Sequence, residues 1–213
     1  MGRRPSNFGL FFREFLRSYH TTGAIVPSGR FLASALARFV ADGAAPTRRI
    51  LEVGPGTGAV TRRIIAALGP EDRLDLVELN DRFVAQLHHR FETEPAFQAV
   101  ADRSRVLHRP VEELPRENAY DLIISGLPLN NFAVADVERI LAAFSGLLKP
   151  GGTLSFFEYI AIRRARALVS GRAERERLRG IGAALRGLLS GNEIRRDWVW
   201  LNVPPAWVHH VRL

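Results

Sequence analysis

The chain has 213 residues, 46% of them hydrophobic, and a formal net charge of +8. This length buries one sizeable core and is short for two ordinary domains, so we expect a single domain over residues 1–213. The lack of cysteine excludes disulfides, thiolate metal sites and a cysteine nucleophile.

The positive charge predicts attraction to a polyanion, which leaves both nucleic acid and an anionic membrane surface open. No apolar run reaches the eighteen residues that a membrane-spanning helix needs, and no cleavable secretory signal is recognisable. We therefore expect a cytoplasmic protein. The six histidines have no convincing metal-ligand context, so no metal is expected.

The N-terminal segment from Pro5 to His20 places large apolar residues at three- and four-residue spacing, with polar residues between them. This pattern predicts an amphipathic helix with an aromatic stripe. A second helix is predicted from Ser28 to about Val40. We expect residues 1–42 to form helices and a lid, and residues 46–213 to form the core.

Short β-branched runs alternate with helical patterns from Arg49 onward. The predicted strands are 50–53, 74–78, 105–108, 120–125 and 153–159, and the predicted helices are 60–68, 82–91 and 135–148. Alternation of this kind predicts parallel pairing with right-handed crossovers, hence a doubly wound sheet. An Arg-rich stretch to Arg186 has a helical pattern that glycines interrupt. Apolar segments on either side of Pro204 and Pro205 predict an antiparallel hairpin.

A glycine-rich turn follows the first predicted strand. It reads Leu51-Glu52-Val53-Gly54-Pro55-Gly56-Thr57-Gly58, and Glu78 ends the second strand twenty positions after Gly58. Such a turn lets the backbone approach a ligand, and the later carboxylate accepts ribose hydroxyls, so an adenosine-containing ligand is predicted. A nicotinamide dinucleotide remains open. Glu52 favours a methionine ammonium group over pyrophosphate, which it would repel.

These motifs resemble those of class I S-adenosylmethionine-dependent methyltransferases, as does the Leu147–Leu154 turn before the fifth strand. The resemblance implies a Rossmann-like α/β fold with a seven-stranded, mostly parallel sheet, and S-adenosylmethionine as cofactor, with S-adenosylhomocysteine as product. The implied cofactor-binding residues are Glu52, Gly54, Gly56, Thr57, Gly58, Glu78, Leu79, Pro110, Val111 and Ser125. One departure is that Pro110 stands where the family often has an acidic residue, which leaves adenine to backbone groups or Glu112.

The segment after the fourth strand, Ser125 to Phe132, concerns the methyl acceptor. Nucleic-acid amino-methyltransferases usually have an amide and an aromatic residue where this chain has Ser125 and Leu129, so a planar base would be poorly held. With Thr21–Ser28 and Val199–Ala206, the chain resembles bacterial phospholipid N-methyltransferases. That resemblance implies stepwise methylation of phosphatidylethanolamine towards phosphatidylcholine. The alternatives are rRNA adenine N6-methylation and a non-catalytic adenosyl-ligand-binding protein.

An amine acceptor must lose a proton before it attacks, and aromatic faces hold methylated ammonium groups. The candidate catalytic residues are therefore Tyr19, His20 and Tyr159. The substrate-binding candidates are Tyr19, Leu127, Pro128, Glu158, Tyr159, Arg163, Arg164 and Arg166. The candidates for membrane binding are Phe8, Phe11, Phe12, Arg13, Phe15 and Arg17. We expect peripheral binding to the inner face of the cell membrane, with no nucleic acid and no obligate protein partner.

Overall fold

The computed structural model describes residues 29–42, 47–160, 171–202 and 204–213. The predicted aromatic helix from Pro5 to His20 lies outside these ranges, as does Ser28, the predicted start of the second helix. The helices are α1 (Arg30–Leu36), α2 (Arg38–Ala41), α3 (Ala59–Ile65), α4 (Asp81–Thr93), α5 (Pro95–Gln98), α6 (Val134–Leu147) and α7 (Arg172–Leu189). The strands are β1 (Arg49–Val53), β2 (Arg73–Glu78), β3 (Ser104–His108), β4 (Tyr120–Ser125), β5 (Leu148–Tyr159), β6 (Glu193–Val199) and β7 (Ala206–Arg212).

The seven strands form one sheet in the order β3-β2-β1-β4-β5-β7-β6. The first five pair in parallel, whereas β7 is antiparallel to both β5 and β6. This confirms the predicted Rossmann-like fold. Because β1, β2 and β4 are parallel neighbours, their carboxyl ends meet at one edge of the sheet.

Two apolar clusters cover the two faces of the sheet. One includes α1, α3 and the side chains of Ile50 and Leu76, and the other includes α6, α7 and the side chains of Leu51 and Ile123. The central strands are buried on both faces, which explains their continuous apolar sequences. Among the described residues, no helix is both long and apolar enough to cross a bilayer.

The C-terminal part differs from the prediction in two places. Helix α7 is continuous across Gly180 and Gly182, because Leu178, Ile181 and Leu185 bury one face of it. Gly180 also lets α7 approach α6 closely, since a Cβ there would lie 2.7 Å from Val134 Cγ2. The first strand of the hairpin is β6, which begins at Glu193, before the apolar segment that precedes Pro204. Its charged, exposed residues hide the strand pattern.

Candidate functional site

The turn between β1 and α3 holds three glycines in left-handed backbone conformations. The φ angles are 70° at Gly54, 54° at Gly56 and 79° at Gly58, a region that side chains with a Cβ enter at a cost. The Gly54 N–H donates to the Val77 carbonyl at 2.9 Å, which fixes the turn against β2. No atom lies within 4 Å of a Cβ built on Gly56. The turn therefore presents open backbone to a ligand at the carboxyl end of β1.

A fourth glycine, Gly126, supports this turn from the loop after β4. Its N–H donates to the Val53 carbonyl at 2.8 Å. A Cβ on Gly126 would lie 2.6 Å from the Gly54 carbonyl oxygen, and one on Gly54 would lie 2.7 Å from Leu127 Cδ2. The loops after β1 and β4 thus touch through glycine. No pattern in the sequence pointed to a role for Gly126.

Arg90 of α4 is a second positioning residue that the sequence analysis missed. Its guanidinium donates to the Thr57 carbonyl and pairs with Glu94 at 2.8 Å. A Cβ on Gly58 would lie 2.5 Å from Arg90 Nη1, so the third glycine makes room for this contact. Arg90 is hard to recognise from the sequence, because an arginine on a helix usually lies on a solvent-exposed face.

Glu52 is a buried carboxyl beside the turn, with 1% of its surface exposed. Within the described part of the chain, neither of its oxygens has a hydrogen-bond partner. Burial raises the pKa of Glu52 to about 8, which the nearby Thr61 and Arg90 offset only in part. A buried carboxyl without a partner is costly, and a cationic group above the turn would stabilise its ionised form. The ammonium end of a methionine group fits this requirement.

Glu78 ends β2 on the opposite side of the turn. Its carboxylate accepts from the N–H groups of Gly56 at 3.1 Å, Leu79 at 2.8 Å and Asn80 at 2.9 Å. Burial raises the pKa of Glu78, and these backbone donors oppose the rise. The carboxylate is thus fixed by the backbone of the glycine turn and has oxygen lone pairs left for ribose hydroxyls.

A narrow cleft runs from Glu78 towards the segment after β3. Its apolar lining includes Val77, Leu79, Val111 and Leu127, and Glu112 closes one side. Among the described residues, Glu112 Oε2 is buried with no hydrogen-bond partner, and burial raises the Glu112 pKa. Val111 is placed for a ring face and Glu112 for an exocyclic amine. Pro110 begins the short helical turn over residues 111–113, and its carbonyl accepts from Glu113 at 3.2 Å.

The residues present therefore fit an adenosyl ligand with a cationic amino-acid end. Glu52, the glycine turn and Glu78 line one edge of the sheet, as the sequence predicted. The individual contacts assigned to Thr57, Leu79, Pro110, Val111 and Ser125 stay predictions.

The loop after β4 turns its apolar side chains into the core. Leu127, Leu129 and Phe132 are all buried. Ser125 is also buried, and its hydroxyl accepts from the Leu127 N–H at 3.3 Å. Arg177 of α7 holds the loop by donating to the carbonyls of Asn130 and Phe132. The Leu129 side chain and the Phe132 ring are thus packed in the core, and neither is placed to stack on a nucleobase.

A buried acid–base cluster, missed by the sequence analysis, lies between the carboxyl end of β5 and β7. Glu158 Oε2 is 4.0 Å from His209 Nε2, and His209 Nδ1 is 2.7 Å from Glu193 Oε1. Burial lowers the His209 pKa, so this imidazole is neutral near pH 7. The Glu193 carboxylate favours the tautomer that carries the proton on Nδ1. His209 Nε2, which has no hydrogen-bond partner among the described residues, is then a proton acceptor facing Glu158.

The candidates Glu158 and Tyr159 lie on opposite faces of the sheet. Glu158 faces His209, whereas Tyr159 packs edge-on against Phe157, with ring centroids 5.0 Å apart. The two side chains thus do not form a single pair around one headgroup. The candidates outside the described residues are Tyr19, His20, Arg163, Arg164, Arg166 and the proposed membrane-binding set Phe8, Phe11, Phe12, Arg13, Phe15 and Arg17.

Comparisons with known proteins agree with this geometry. A family described as "Methyltransferase domain" matches residues 50–152. An ornithine lipid N-methyltransferase from Singulisphaera acidiphila is 27% identical over 70% of this chain and 76% of its own length. A ubiquinone/menaquinone biosynthesis C-methyltransferase from Ectopseudomonas mendocina is 29% identical over 55% of this chain and 44% of its own. Among solved structures, a 1,6-didemethyltoxoflavin-N1-methyltransferase from Burkholderia thailandensis, with bound 1,6-didemethyltoxoflavin and S-adenosylhomocysteine, has a TM-score of 0.64 and 17% identity. The match covers 100% of this chain and 91% of that chain.

Proposed function

We propose that this chain, which matches a methyltransferase domain over residues 50–152 and has the fold of S-adenosylmethionine-dependent methyltransferases, methylates the primary amine of a membrane-lipid headgroup. The substrate we propose first is phosphatidylethanolamine, methylated stepwise towards phosphatidylcholine. The protein would act while bound peripherally to the inner face of the cell membrane. The observation that carries this proposal is the buried Glu158–His209 pair at the carboxyl end of β5, on the acceptor side of the sheet.

The cofactor side prepares the methyl donor. S-adenosylmethionine supplies a methyl group on a sulfonium, which an amine lone pair attacks in line. The residues of this chain hold its parts: the Glu52 carboxylate would face the ammonium group, and Glu78 would accept from the ribose. Because Glu78 is itself fixed by the Gly56, Leu79 and Asn80 N–H groups, the donor position is set before an acceptor arrives.

The acceptor side must take a proton from an alkyl ammonium group, whose pKa is about 10 in water. Burial at Glu158 and His209 would remove water from such a group and favour its neutral form. The Glu158 carboxylate would hold the amine, and His209 Nε2 would accept the proton, with Glu193 stabilising the imidazolium through Nδ1–H. Two aromatic rings flank His209: the Phe156 ring stacks on it at 5.2 Å, and the Trp207 ring lies 6.2 Å away with the Arg196 guanidinium 5.5 Å from its centroid.

The relatives differ in the acceptors that their names give, and one of them supports a lipid amine. The relative that spans most of this chain and most of its own length is named for methylating the amine of ornithine lipid, and others are named as C-methyltransferases. Ornithine lipid and phosphatidylethanolamine share a primary amine on a membrane lipid. The Glu158–His209 pair would supply the carboxylate and the proton acceptor that methylation of an ammonium group needs.

RNA methylation is the alternative that the net charge permits. The loop after β4 argues against it, since Leu129 and Phe132 are buried in the core and Ser125 replaces the amide that would accept from a base amine.

The test is methyl transfer from labelled S-adenosylmethionine to mixed micelles containing phosphatidylethanolamine or ornithine lipid, with RNA as a third acceptor. Label in either aminolipid supports the proposal, and the ratio of the two identifies the preferred headgroup. Label in RNA alone, or in none of the three while S-adenosylhomocysteine still binds, would overturn it.

A further inference from the structure

An exposed group of large apolar side chains lies at the far edge of the sheet, around the end of β6 and the start of α1. Four residues form it, and their exposed fractions are 41% for Phe31, 53% for Trp198, 65% for Trp200 and 73% for Leu201. All four line one shallow groove. We refer to these four residues as the edge patch. Exposed apolar patches of this kind mark interaction sites more often than single exposed residues do.

The edge patch lies on the same side of the sheet as the cofactor and acceptor sites. Val199, which ends β6, pairs with Ala206, and Ala206 pairs with Tyr159 at the carboxyl end of β5. The same edge continues through the ends of β4 and β1 to the glycine turn. A flat surface that contacts the edge patch would therefore face the carboxyl ends of the strands, where the acceptor enters.

Aromatic rings connect the edge patch with the buried acid–base cluster. The Trp200 and Trp198 rings stack with centroids 5.0 Å apart, and Trp198 meets Trp207 at 5.3 Å. Trp207 in turn lies beside His209. The series of rings thus runs from solvent towards the buried cluster, and the Arg196 guanidinium lies over its inner member, 5.5 Å from the Trp207 ring centroid.

The chemistry of the edge patch matches a membrane interface. Tryptophan is enriched at the level of lipid headgroups, because its large ring is apolar and its indole N–H is polar. The Arg30 guanidinium lies 4.8 Å from the Phe31 ring centroid. Arg30, Arg38 and Arg195 stand near the edge patch against Asp42 and Asp197, which adds a local positive excess to the net charge of +8. Anionic lipid complements both this local positive excess and the net charge of the chain.

The N-terminal segment joins the described chain at the same place. The Gly29 N–H donates to Asn202 Oδ1 at 3.0 Å, and Asn202 follows Leu201. Gly29, where the described part of the chain begins, is therefore held beside the edge patch.

A second copy of the chain fits the edge patch less well. Strand β6 is an edge strand, and its exposed run Arg195–Arg196 carries two like charges next to a register shift between Glu193 and Arg195. Charges and irregular pairing at a sheet edge oppose pairing with another strand.

We propose that the edge patch is a membrane-docking surface, which inserts Trp198, Trp200, Leu201 and Phe31 into the interface of an anionic bilayer and turns the acceptor site towards the lipid headgroups. This inference rests on the proposed function, because docking matters only if the acceptor is a membrane lipid. Vesicle binding is measured without methyl donor, so membrane docking and lipid methylation are tested separately.

The experiment uses the full chain and vesicles of phosphatidylcholine and phosphatidylglycerol. The variant is Trp200→Ser/Leu201→Ser, and the matched control is Ile194→Ser, an apolar residue of β6 that is 42% exposed at the opposite end of the strand. We expect the double variant to lower the vesicle partition coefficient at least about tenfold, and the control to leave it unchanged. S-adenosylhomocysteine binding checks that both variants are folded.

Fluorescence gives an independent readout, because the three tryptophans of the chain are Trp198, Trp200 and Trp207. Brominated phospholipids in the vesicles should quench the emission of the unaltered protein, and its spectrum should shift to the blue. The proposal would be overturned if the double variant partitioned onto vesicles as well as the unaltered protein does. It would also be overturned if the brominated lipids did not quench the tryptophan emission. Conversion of a lipid-free dimer to a monomer by the double variant would assign the edge patch to a protein interface instead.

Discussion

The cofactor half of the molecule and the half that holds the proposed acceptor site, called the acceptor half below, are organised differently, although they share one edge of the sheet. In the cofactor half, the glycine turn and Glu78 lie within a single β-α-β unit, and the backbone itself makes the key contacts. In the acceptor half, Glu158 and His209 are 51 positions apart and meet only because β5 pairs with β7. The first half is specified by local sequence and the second by long-range pairing.

This difference has a functional meaning. A local, backbone-built site suits a donor that is the same in every turnover, whereas side chains on separate strands suit an acceptor that varies between enzymes sharing the fold. Substitutions in the cofactor half should therefore affect donor binding, and substitutions in the acceptor half should affect turnover while donor binding stays intact.

The largest effect is expected from Gly126→Ala, at the point where the two halves touch. The new Cβ would lie 2.6 Å from the Gly54 carbonyl oxygen, so the glycine turn or the loop after β4 must move. We expect S-adenosylhomocysteine binding to be abolished and unfolding to become easier by about 2 kcal/mol or more. The measurements are calorimetry and urea unfolding. Gly171→Ala is the control, because nothing lies within 4 Å of the new Cβ. Equal binding by the two variants would show that the close approach of Gly126 to Gly54 is not needed for the site.

A smaller effect, confined to turnover, is expected from Glu158→Gln and His209→Gln. Removal of a positioned proton acceptor should lower kcat about 10- to 100-fold, with S-adenosylhomocysteine affinity unchanged. In the unaltered protein kcat should fall as the pH drops and His209, whose pKa burial lowers, becomes protonated. His209→Gln should lose this pH dependence.

Steady-state kinetics over a range of pH with an aminolipid acceptor measures both quantities. Glu176→Gln, on the exposed face of α7, is the matched control. A normal kcat in both Glu158→Gln and His209→Gln would show that this pair takes no part in catalysis.

A third prediction concerns Glu52 and the pH dependence of stability. Because burial raises the pKa of Glu52 from 4.5 to about 8, the folded state binds this proton more tightly than the unfolded state. The free energy of unfolding should therefore fall as the pH rises from 4.5 to 8. Glu52→Gln should remove that loss, and at pH 9 it should be more stable than the unaltered protein by on the order of a few kcal/mol.

Urea unfolding at pH 5 and pH 9 measures this difference, which should be small at pH 5. The same variant should bind S-adenosylhomocysteine more weakly, by about tenfold, because the ammonium group loses its carboxylate. A variant that follows the same pH dependence as the unaltered protein would show that Glu52 is not the group that titrates.

The sequence predicted those parts of the fold and site that depend on local pattern. Strand β4 was placed at its observed bounds, and the glycine turn and Glu78 lie at one edge as expected. Helix α7 was harder, because its continuity depends on burial of Leu178, Ile181 and Leu185 and not on propensity. The exposed strand β6 carries polar residues that conceal its period.

The contacts of Arg90, Gly126 and His209 could not be predicted from the sequence. Each of these residues acts on a partner more than thirty positions away, or on another loop. A pattern within a short window carries no signal for such partners. The acceptor candidates chosen by residue type, Glu158 and Tyr159, were therefore grouped together although the pleat sends them to opposite faces.

The most direct test of the central claim is calorimetry of S-adenosylhomocysteine binding to the unaltered protein, to Glu78→Gln and to the control Glu113→Gln, which alters an exposed residue. If the glycine turn and the carboxylate at the end of β2 hold the adenosyl group, the unaltered protein and the control will bind one equivalent, and Glu78→Gln will bind at least about tenfold more weakly. Equal affinity in all three folded proteins, or no binding by any of them, would contradict the account.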